Sequence, residues 1–391
     1  MTATTISVAE THPTLGLDRV TLWLLLGFVA ALQVSIAAAE ALLAAVLVGW
    51  AAMLVRDRVR PAAPPFFVPL VAFAGVTLLS AAFSIDPWTS FLDTKQLLLF
   101  LIVPAVYHVA RGPRAYQVID VIVTVGAASA AYGIIQYAVL HFDNLGQRPD
   151  GALTHYMTYS GVLMLVLCTA AARLVFGSRD RIWPALVMPA LIVALSLTFT
   201  RSAWIGACAA VGLIFALKDF RLTALLPIVI ALMFAFAPDA VTDRMMSVFN
   251  LRDPSNRDRL AMMQTGAGIV RDYPLTGVGP NMVPRVYATY RPAAGVEAIN
   301  PHLHNVPLQI AAERGLPAVA VWLWFVAVLA VTLVRLFRTD QERMLGAGAL
   351  AAVAGMLAAG LFEYNFGDSE FLMLFLVLIT LPLAAERPER S

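Results

Sequence analysis

Long apolar runs separated by short polar connections make up most of this chain. A helix needs roughly 17–25 apolar residues to cross the ~30 Å hydrocarbon core of a bilayer. One segment, residues 240–303, is too polar to span. The predicted spans are 20–36, 38–55, 64–84, 90–110, 115–140, 157–177, 183–200, 203–218, 222–238, 316–336, 344–363 and 370–385. The pattern predicts an all-α integral membrane protein with about twelve transmembrane helices and one long helical loop.

The composition strengthens this prediction. The chain is 60% hydrophobic and 13% charged, with a mean hydropathy of +0.78, whereas soluble domains contain about 25% charged residues. A soluble globular fold is therefore excluded. Cys168 and Cys208 both lie in apolar runs, so neither a disulfide framework nor a cysteine metal cluster is expected. The N-terminus has no basic segment before its first apolar run and is predicted to be a retained short tail.

The distribution of lysine and arginine predicts how the spans are oriented. Short cytoplasmic connections carry an excess of basic residues, whereas long loops translocate largely regardless of charge. Twelve spans place both termini on one side, and most of the 27 basic residues fall in short connections on that side. They are Arg19, Arg56, Arg58, Arg60, Arg111, Arg114, Arg173, Arg179, Arg181, Lys218, Arg221, Arg335, Arg338, Arg343, Arg387 and Arg390. Both termini are therefore predicted to be cytoplasmic, and the polar loop to face the other side.

Three parts of the chain follow from this topology. Residues 1–239 hold transmembrane helices one to nine, residues 240–315 form a loop with arginine- and histidine-bearing helices, and residues 316–391 hold helices ten to twelve. Tryptophans that fall at predicted membrane interfaces, as aromatic belt residues do, are Trp88, Trp183 and Trp204.

The first half of the loop predicts a helix with an anion-binding start. Ser255 followed by Asp258 fits the capping-box pattern, with Ser255 as the N-cap. The helix should run to about Val270 and end before Pro274. Arg259 would then lie in the first turn, where free backbone N–H groups and the helix dipole add to its attraction for an anion.

The second half of the loop contains a rigid turn and a second helix start. Residues 274–280 (PLTGVGP) predict a glycine-hinged turn. Asn305 is placed to cap a helix that tolerates Pro307 in its first turn. Gly315 and Pro317 should break that helix before the tenth span.

Two arginines and one histidine are the main candidates for chemistry. Arg201, at a predicted hairpin tip, either extends to the lipid headgroups or binds a phosphate with its guanidinium fork. Arg259 is either a solvated loop residue or an anion ligand. His304 suits a general base, because an ordinary imidazole has a pKa near 6.5. A metal site at His302 and His304 is disfavoured, because no carboxylate or cysteine cluster accompanies them in the sequence.

Several stretches together resemble the O-antigen ligase/polymerase superfamily of bacterial envelope glycosyltransferases. His304-Asn305, nine residues and then Gly315 match its histidine-led motif, with Ala318 as a departure. Arg259 followed by residues 272–279 (DYPLTGVG) resembles its arginine-helix block, with Met263 as a departure. The segments similar to further family motifs are residues 198–204 (TFTRSAW), residues 148–151 (RPDG) and residues 155–158 (HYMT).

The resemblance implies a function. The donor would be a glycan on undecaprenyl diphosphate, and in the ligases the glycan passes to a lipid A–core sugar on the periplasmic side of the inner membrane. It also implies inversion at the anomeric carbon and no metal, nucleotide sugar or other cofactor. In this chain Arg201 and Arg259 would hold the diphosphate and His304 would deprotonate the acceptor hydroxyl.

Five residues are secondary site candidates: Lys95, Arg148, His155, Asn305 and Asp368. Lys95 either anchors the fourth span at the interface or meets a phosphate. Asp368, in a predicted external turn, either orients an acceptor or solvates the turn.

Other functions stay open at the level of the sequence. A polymerase would use the same donor with a lipid-linked glycan as acceptor, and a protein-glycosylating relative is also compatible. A lipid or glycan transporter is the alternative from another class, although transporters typically show internal repeats and midplane broken helices that this sequence lacks. The expected partners are lipid-linked glycans and membrane lipids, and no nucleic acid.

Overall fold

The apolar runs fold into helices in the computed structural model, which describes residues 16–177, 181–250, 252–293, 295, 297–339 and 342–388. No strand occurs within these ranges. The predicted tail at residues 1–15, Arg179 and Arg390 fall outside the described residues.

Sixteen α-helices are formed by the described residues. They are α1 (Leu17–Ala31), α2 (Ile36–Asp57), α3 (Phe67–Ala82), α4 (Pro87–Asp93), α5 (Ile102–Val109), α6 (Arg114–Ala138), α7 (Tyr156–Phe176), α8 (Ile182–Leu197), α9 (Arg201–Lys218), α10 (Leu225–Phe236), α11 (Asp239–Met246), α12 (Pro254–Asp272), α13 (Val283–Tyr290), α14 (Val306–Arg338), α15 (Arg343–Gly360) and α16 (Ser369–Ala385). Short 3-10 helices at Thr94–Leu101, Phe220–Ala224, Ser247–Phe249 and Asn365–Gly367 connect some of them.

Seven of the described helical segments are long and apolar enough to cross a membrane. They are Ile36–Asp57, Pro87–Val109, Arg114–Ala138, Tyr156–Phe176, Arg201–Lys218, Val306–Arg338 and Arg343–Gly360. Shorter apolar helices lie at Phe67–Ala82, Ile182–Leu197, Phe220–Leu232 and Ser369–Ala385. The all-helical fold is thus confirmed for the described residues and is consistent with a multi-pass membrane protein, while the count of twelve spans and the periplasmic position of the loop stay predictions.

The centre of the bundle is formed by α7, α15 and α16, whose residues are mostly buried. Helix α9 packs closely on this centre because two glycines face each other. A Cβ atom at Gly206 would lie 2.8 Å from the Gly355 carbonyl oxygen and 2.3 Å from Met164 Sδ. Small residues let membrane helices approach in this way. The tight packing fixes the start of α9, where Arg201 lies.

The polar segment has a small core of its own and docks on the bundle through its backbone. Residues of α12, α13 and the glycine turn, including Met262 and Tyr287, pack against Leu303 in that core. The Val278 and Gly279 N–H groups donate to the carbonyls of residues 312 and 313, each at 2.9 Å. The turn is thereby joined to the beginning of α14.

Gly277 and Gly315 make this close backbone approach possible. Both have positive φ, at +65° and +78°, and Gly315 interrupts α14 as the sequence predicted. A Cβ at Gly277 would lie 2.2 Å from the Glu313 carbonyl carbon, and one at Gly315 would lie 2.2 Å from the Leu275 carbonyl oxygen. The two motif glycines therefore lie at one backbone junction, and only glycine fits there without strain.

The predicted capping box is wrong. Asp253, not Ser255, caps α12, and its Oδ1 accepts the N–H groups of Ser255 and Asn256. Pro254 occupies the first helical position, which proline favours because that N–H needs no partner within the helix. Arg259 is consequently the sixth helical residue, in the second turn, and the helix start does not contribute to it as predicted.

Two other local predictions have definite outcomes. Asn305 caps α14, accepting the Leu308 N–H at 2.9 Å, with Pro307 in the first turn as expected. Trp204 is not a belt residue. It is 9% exposed, and its Nε1 donates to the Leu195 carbonyl at 3.0 Å.

Candidate active site

A polar cavity lies where the 240–315 segment meets the starts of α7 and α9. Its volume is about 340 Å³. Four arginines, Arg148, Arg201, Arg244 and Arg259, line it together with His304. The arginine and histidine motifs, which are far apart in the sequence, thus contribute to one cavity, called the arginine cavity below.

Arg201 is the first residue of α9 and is turned into the protein. It is 5% exposed, so it does not extend to the headgroups. Its Nη1 donates to Ser247 Oγ at 3.1 Å, and its Nη2 donates to Ser255 Oγ at 3.1 Å and Asn256 Oδ1 at 2.9 Å. The guanidinium is held in place by three neutral acceptors that come from the polar segment.

Positive charge in this cavity is only partly balanced. Asp253 Oδ1 lies 3.8 Å from Arg201 Nη2, and Asp253 Oδ2 lies 3.9 Å from Arg244 Nη1. The same carboxylate also caps α12. Arg244 Nε is buried and has no hydrogen-bond partner among the described residues. One carboxylate shared between two arginines leaves cationic groups available to an anion.

Arg259 and Arg148 lie against aromatic rings. The Arg259 Cζ atom is 5.9 Å from the centre of the Phe362 ring, and the Arg148 Cζ atom is 4.2 Å from that of Tyr156. Burial lowers the pKa of both guanidiniums. The charge of Glu363 opposes this lowering at Arg259, and the charge of Arg244 adds to it at both residues. Arginines remain protonated in proteins. The four arginines exceed the three carboxylates that line the cavity, Asp253, Asp258 and Glu297, so a bound anion would balance the remaining positive charge.

His304 is held by a carboxylate that the sequence did not indicate. Its Nδ1 lies 2.8 Å from Glu363 Oε2, in the turn after α15. Burial would raise the pKa of Glu363, but the charge of His304, the hydrogen bond between them and the charge of His302 lower it to about 2. Glu363 is therefore ionised and accepts only, so the Nδ1 of His304 carries the proton. In the neutral ring, Nε2 then keeps its lone pair.

His302 completes a three-residue cluster. Its ring centre lies 4.1 Å from that of His304, and its Nε2 lies 3.8 Å from Glu363 Oε1. Burial, then the charge of His304, lowers the pKa of His302 to about 4, so it is neutral at physiological pH. One ligand atom from each of the three residues lies within 4.8 Å of the others, which suits a metal ion.

Glu363 supplies the carboxylate that the sequence did not show beside the two histidines. Because Nδ1 of His304 carries the proton shared with Glu363, a metal would be bound through Nε2 of His304, with Glu363 orienting the ring.

Three of the secondary candidates are helix caps. His155 Nδ1 accepts the Met157 N–H at 3.3 Å at the start of α7. Asp368 Oδ1 accepts the Phe371 N–H at 2.9 Å at the start of α16. Asn305, the cap of α14, also donates to the Leu361 carbonyl at 3.0 Å. His155 and Asp368 line a neighbouring cavity of about 250 Å³ with Glu363 and His302. Lys95 lines a third cavity, which His302 also lines.

Glu363, Arg244 and Asp253 line or support the site without having been chosen from the sequence. Glu363 is 59 residues from His304, and only packing brings them together. Arg244 was one of several loop arginines with nothing local to separate it from the others. Asp253 carried a usable signal, because Asp followed by Pro254 is typical of a helix start.

Residues 185–323 match the family model described as O-antigen ligase. The matched segment contains Arg201, Arg259 and His304. No curated protein sequence matches the chain. The match confirms the resemblance to the O-antigen ligase superfamily. It supports an enzyme of the glycosyltransferase type and implies lipid-linked glycan substrates.

Proposed function

We propose that this chain, whose central segment matches the O-antigen ligase family, moves a glycan from undecaprenyl diphosphate to a lipid A–core sugar on the periplasmic side of the inner membrane. One observation carries the proposal. A cavity with four arginines also contains a histidine whose Nδ1 is bonded to an ionised carboxylate.

The arginines stabilise the leaving group. When the glycosidic C1–O bond breaks, negative charge grows on the diphosphate that departs with the lipid. Arg201 and Arg259 bind its oxygens, and Arg148 and Arg244 add positive charge to the same cavity. Preorganised cations of this kind stabilise charge that develops in the transition state, and losing one such contact typically slows a reaction about 10²–10³-fold.

His304 acts as the general base. The acceptor hydroxyl transfers its proton to Nε2 while its oxygen bonds to the anomeric carbon, and undecaprenyl diphosphate leaves from the opposite face. Glu363 positions the ring and stabilises the imidazolium that forms, as a carboxylate does for a catalytic histidine. The anomeric carbon is inverted, and every proton and electron pair is accounted for without a cofactor.

The test is transfer in proteoliposomes supplied with a glycan on undecaprenyl diphosphate and with lipid A–core, in the presence of EDTA. Transfer by the unaltered protein is expected. Arg201→Gln and Arg259→Gln should weaken binding of undecaprenyl diphosphate and slow transfer by about 10²-fold or more. His304→Gln should slow transfer while leaving donor binding unchanged.

Arg271→Gln is the matched control, because Arg271 is 80% exposed at the far end of α12. It should transfer normally. Near-normal transfer by His304→Gln would remove this histidine from the mechanism, and loss of transfer in EDTA would assign the histidine–carboxylate cluster to a metal instead.

A polymerase remains the related alternative, since it uses the same donor. Supplying lipid-linked repeats without lipid A–core distinguishes the two, because only a polymerase extends chains under that condition. Transport of the lipid by the purified chain without any transfer would favour the transporter class.

A further inference from the structure

The first part of the polar segment forms one wall of the arginine cavity. It consists of α11 and the 3-10 helix Ser247–Phe249 that follows it directly. Arg244 of α11 lines the cavity, and Ser247 Oγ accepts a hydrogen bond from Arg201 Nη1 at 3.1 Å. One side of this short segment therefore belongs to the site.

Another side of the same segment is apolar and exposed. It consists of three side chains, called the Phe249 patch below: Met246, Val248 and Phe249. Phe249 is 81% exposed. Leaving apolar surface in water is unfavourable by about 25 cal/mol for each Å², and exposed apolar surface rimmed by polar residues marks a contact site. The patch is thus expected to meet an apolar partner.

Hydrogen bonds fix the backbone of the patch, so its exposure is built into the fold. Asn256 Nδ2 donates to the carbonyl oxygens of Ser247 and Asn250, each at 2.9 Å. These two carbonyls flank Val248 and Phe249 on either side. Turning the patch inward would break both bonds, and the Ser247 contact with Arg201 besides.

Helix α9 gives the depth of the patch relative to the bilayer. The helix is long and apolar enough to cross a membrane. Its 18 residues span about 27 Å, close to the ~30 Å hydrocarbon core, so its first residue, Arg201, lies near one edge of that core. Ser247 is bonded to Arg201, and Val248 and Phe249 follow at about 3.8 Å between Cα atoms. The patch therefore lies close to the same edge.

The patch also follows an apolar surface on α10. Ile228, Leu232 and Phe236 are 55%, 51% and 83% exposed, and their spacing of four residues places them on one face of the helix. Only Ala237 and Pro238 lie between the end of α10 and the start of α11. The exposed apolar side chains of α10 and the Phe249 patch are thus close along the chain.

We infer that the Phe249 patch enters the headgroup region of the bilayer, so that α11 and Ser247–Phe249 form an interfacial anchor. Phe249 and the exposed Arg252 suit this region, because aromatic rings sit at headgroup level and arginine reaches the lipid phosphates. The partner is lipid, and an interfacial segment binds it without spanning. The anchor holds Ser247, and through it Arg201, at headgroup depth. This consequence for Arg201 rests on the proposed function.

A spin label at Phe249→Cys tests the anchor in phospholipid vesicles, after Cys168 and Cys208 are replaced by alanine. Collisions with oxygen, which partitions into lipid, should be frequent, and collisions with a water-soluble nickel chelate should be rare. Ile228→Cys, on the exposed face of α10, should give the same pattern. Arg271→Cys, at a position that is 80% exposed, should give frequent nickel collisions.

Two results of this measurement would overturn the anchor. Nickel collisions at Phe249→Cys as frequent as at Arg271→Cys would place the patch in water. Protection from both reagents would mean that protein covers the patch, such as a second copy of this chain. The measurement needs no enzymatic activity, so its failure is distinct from a failure of the proposed function.

The link to Arg201 is tested by binding of undecaprenyl diphosphate to the protein in the same vesicles. Phe249→Asp should weaken binding about tenfold, at the low end of what burial of one phenylalanine contributes, whereas Phe249→Leu should bind nearly as the unaltered protein does. Because Phe249 is exposed, neither variant should alter thermal unfolding in detergent. Equal binding by both variants would overturn the link. An unaltered protein that is anchored but transfers no glycan would overturn the proposed function alone.

Discussion

Two buried arginines, Arg201 and Arg314, show how the same side chain is used differently in two parts of the molecule. Arg314 is 6% exposed and pairs with the equally buried Glu313 at 2.7 Å. Arg201 is 5% exposed, yet its three hydrogen-bond acceptors are neutral, and the nearest carboxylate oxygen is 3.8 Å away and shared. The exposed fractions of the two side chains are nearly equal, but Arg201 faces a cavity and their local charge balance differs.

This difference is the one expected between a structural arginine and an arginine that binds an anion, the role proposed for Arg201. The charge of a buried cation that is bonded to a buried anion is already balanced, so the cation attracts a third charged group only weakly. A buried cation positioned by serines and an asparagine keeps its charge for an anion that arrives later. The protein is less stable for it until that anion binds, a cost commonly found at functional sites.

The largest expected effect is on stability, at Arg314. Arg314→Gln leaves Glu313 buried without its counter-charge, which should cost about 3–5 kcal/mol of unfolding free energy. Thermal unfolding of the purified protein measures this loss. The Glu313→Gln/Arg314→Gln double variant should recover much of it, because no unpaired charge remains. A double variant as unstable as the single one would contradict the structural role.

A second prediction separates the geometry of the Arg201 side chain from its positive charge. Arg201→Lys keeps the positive charge but loses the planar fork that reaches Ser247, Ser255 and Asn256 together. Transfer should fall about 10²-fold with thermal stability nearly unchanged, the reverse of the result at Arg314. Full activity of Arg201→Lys would mean that charge alone is sufficient.

The acid sensitivity of the site is expected from His302. Its pKa is lowered from 6.5 to about 4 by burial, so the unfolded chain binds this proton first as the pH falls. Protonation of His302 does not reduce the free energy of unfolding above pH 6.5. As the pH falls toward 4, the free energy of unfolding decreases by about 2 kcal/mol after allowing for partial exposure. Unfolding at pH 7 and pH 4.5 measures this, and His302→Gln should flatten the difference.

The smallest expected effect tests whether Glu363, which is near both Arg259 and His304, acts on the histidine or on the arginines. Glu363→Gln should slow transfer about tenfold, as loss of a partner that orients a functional histidine does. Binding of undecaprenyl diphosphate should be kept. Tighter donor binding at an unchanged rate would instead mean that this carboxylate serves the arginines.

The sequence predicted the parts of the site that carry their own signal. Arg201, Arg259 and His304 occur in recognisable motifs, and hydropathy located the helices that hold them. The burial of Arg201 was not predictable, because its acceptors lie 46 to 55 residues away in the chain and only folding brings them together. The same applies to Glu363.

Three of the secondary site candidates share a structural role. His155, Asn305 and Asp368 each cap a helix, and only the cap at Asn305 was predicted from the sequence. Polar side chains concentrate at helix starts in a membrane protein because unpaired N–H groups must be satisfied there. In such a chain a lone polar residue beside an apolar run indicates a cap as readily as a ligand.

The backbone junction between Gly277 and Gly315 also bears on how the chain is made. The turn at 274–280 pairs with main-chain groups at the start of α14, so it cannot dock until that helix has left the ribosome. Until then Arg201, the first residue of α9, does not have its hydrogen-bond acceptors Ser247, Ser255 and Asn256 in their final positions. Because synthesis runs from the N-terminus, the arginine cavity is completed only after helices α1 to α13 have been made.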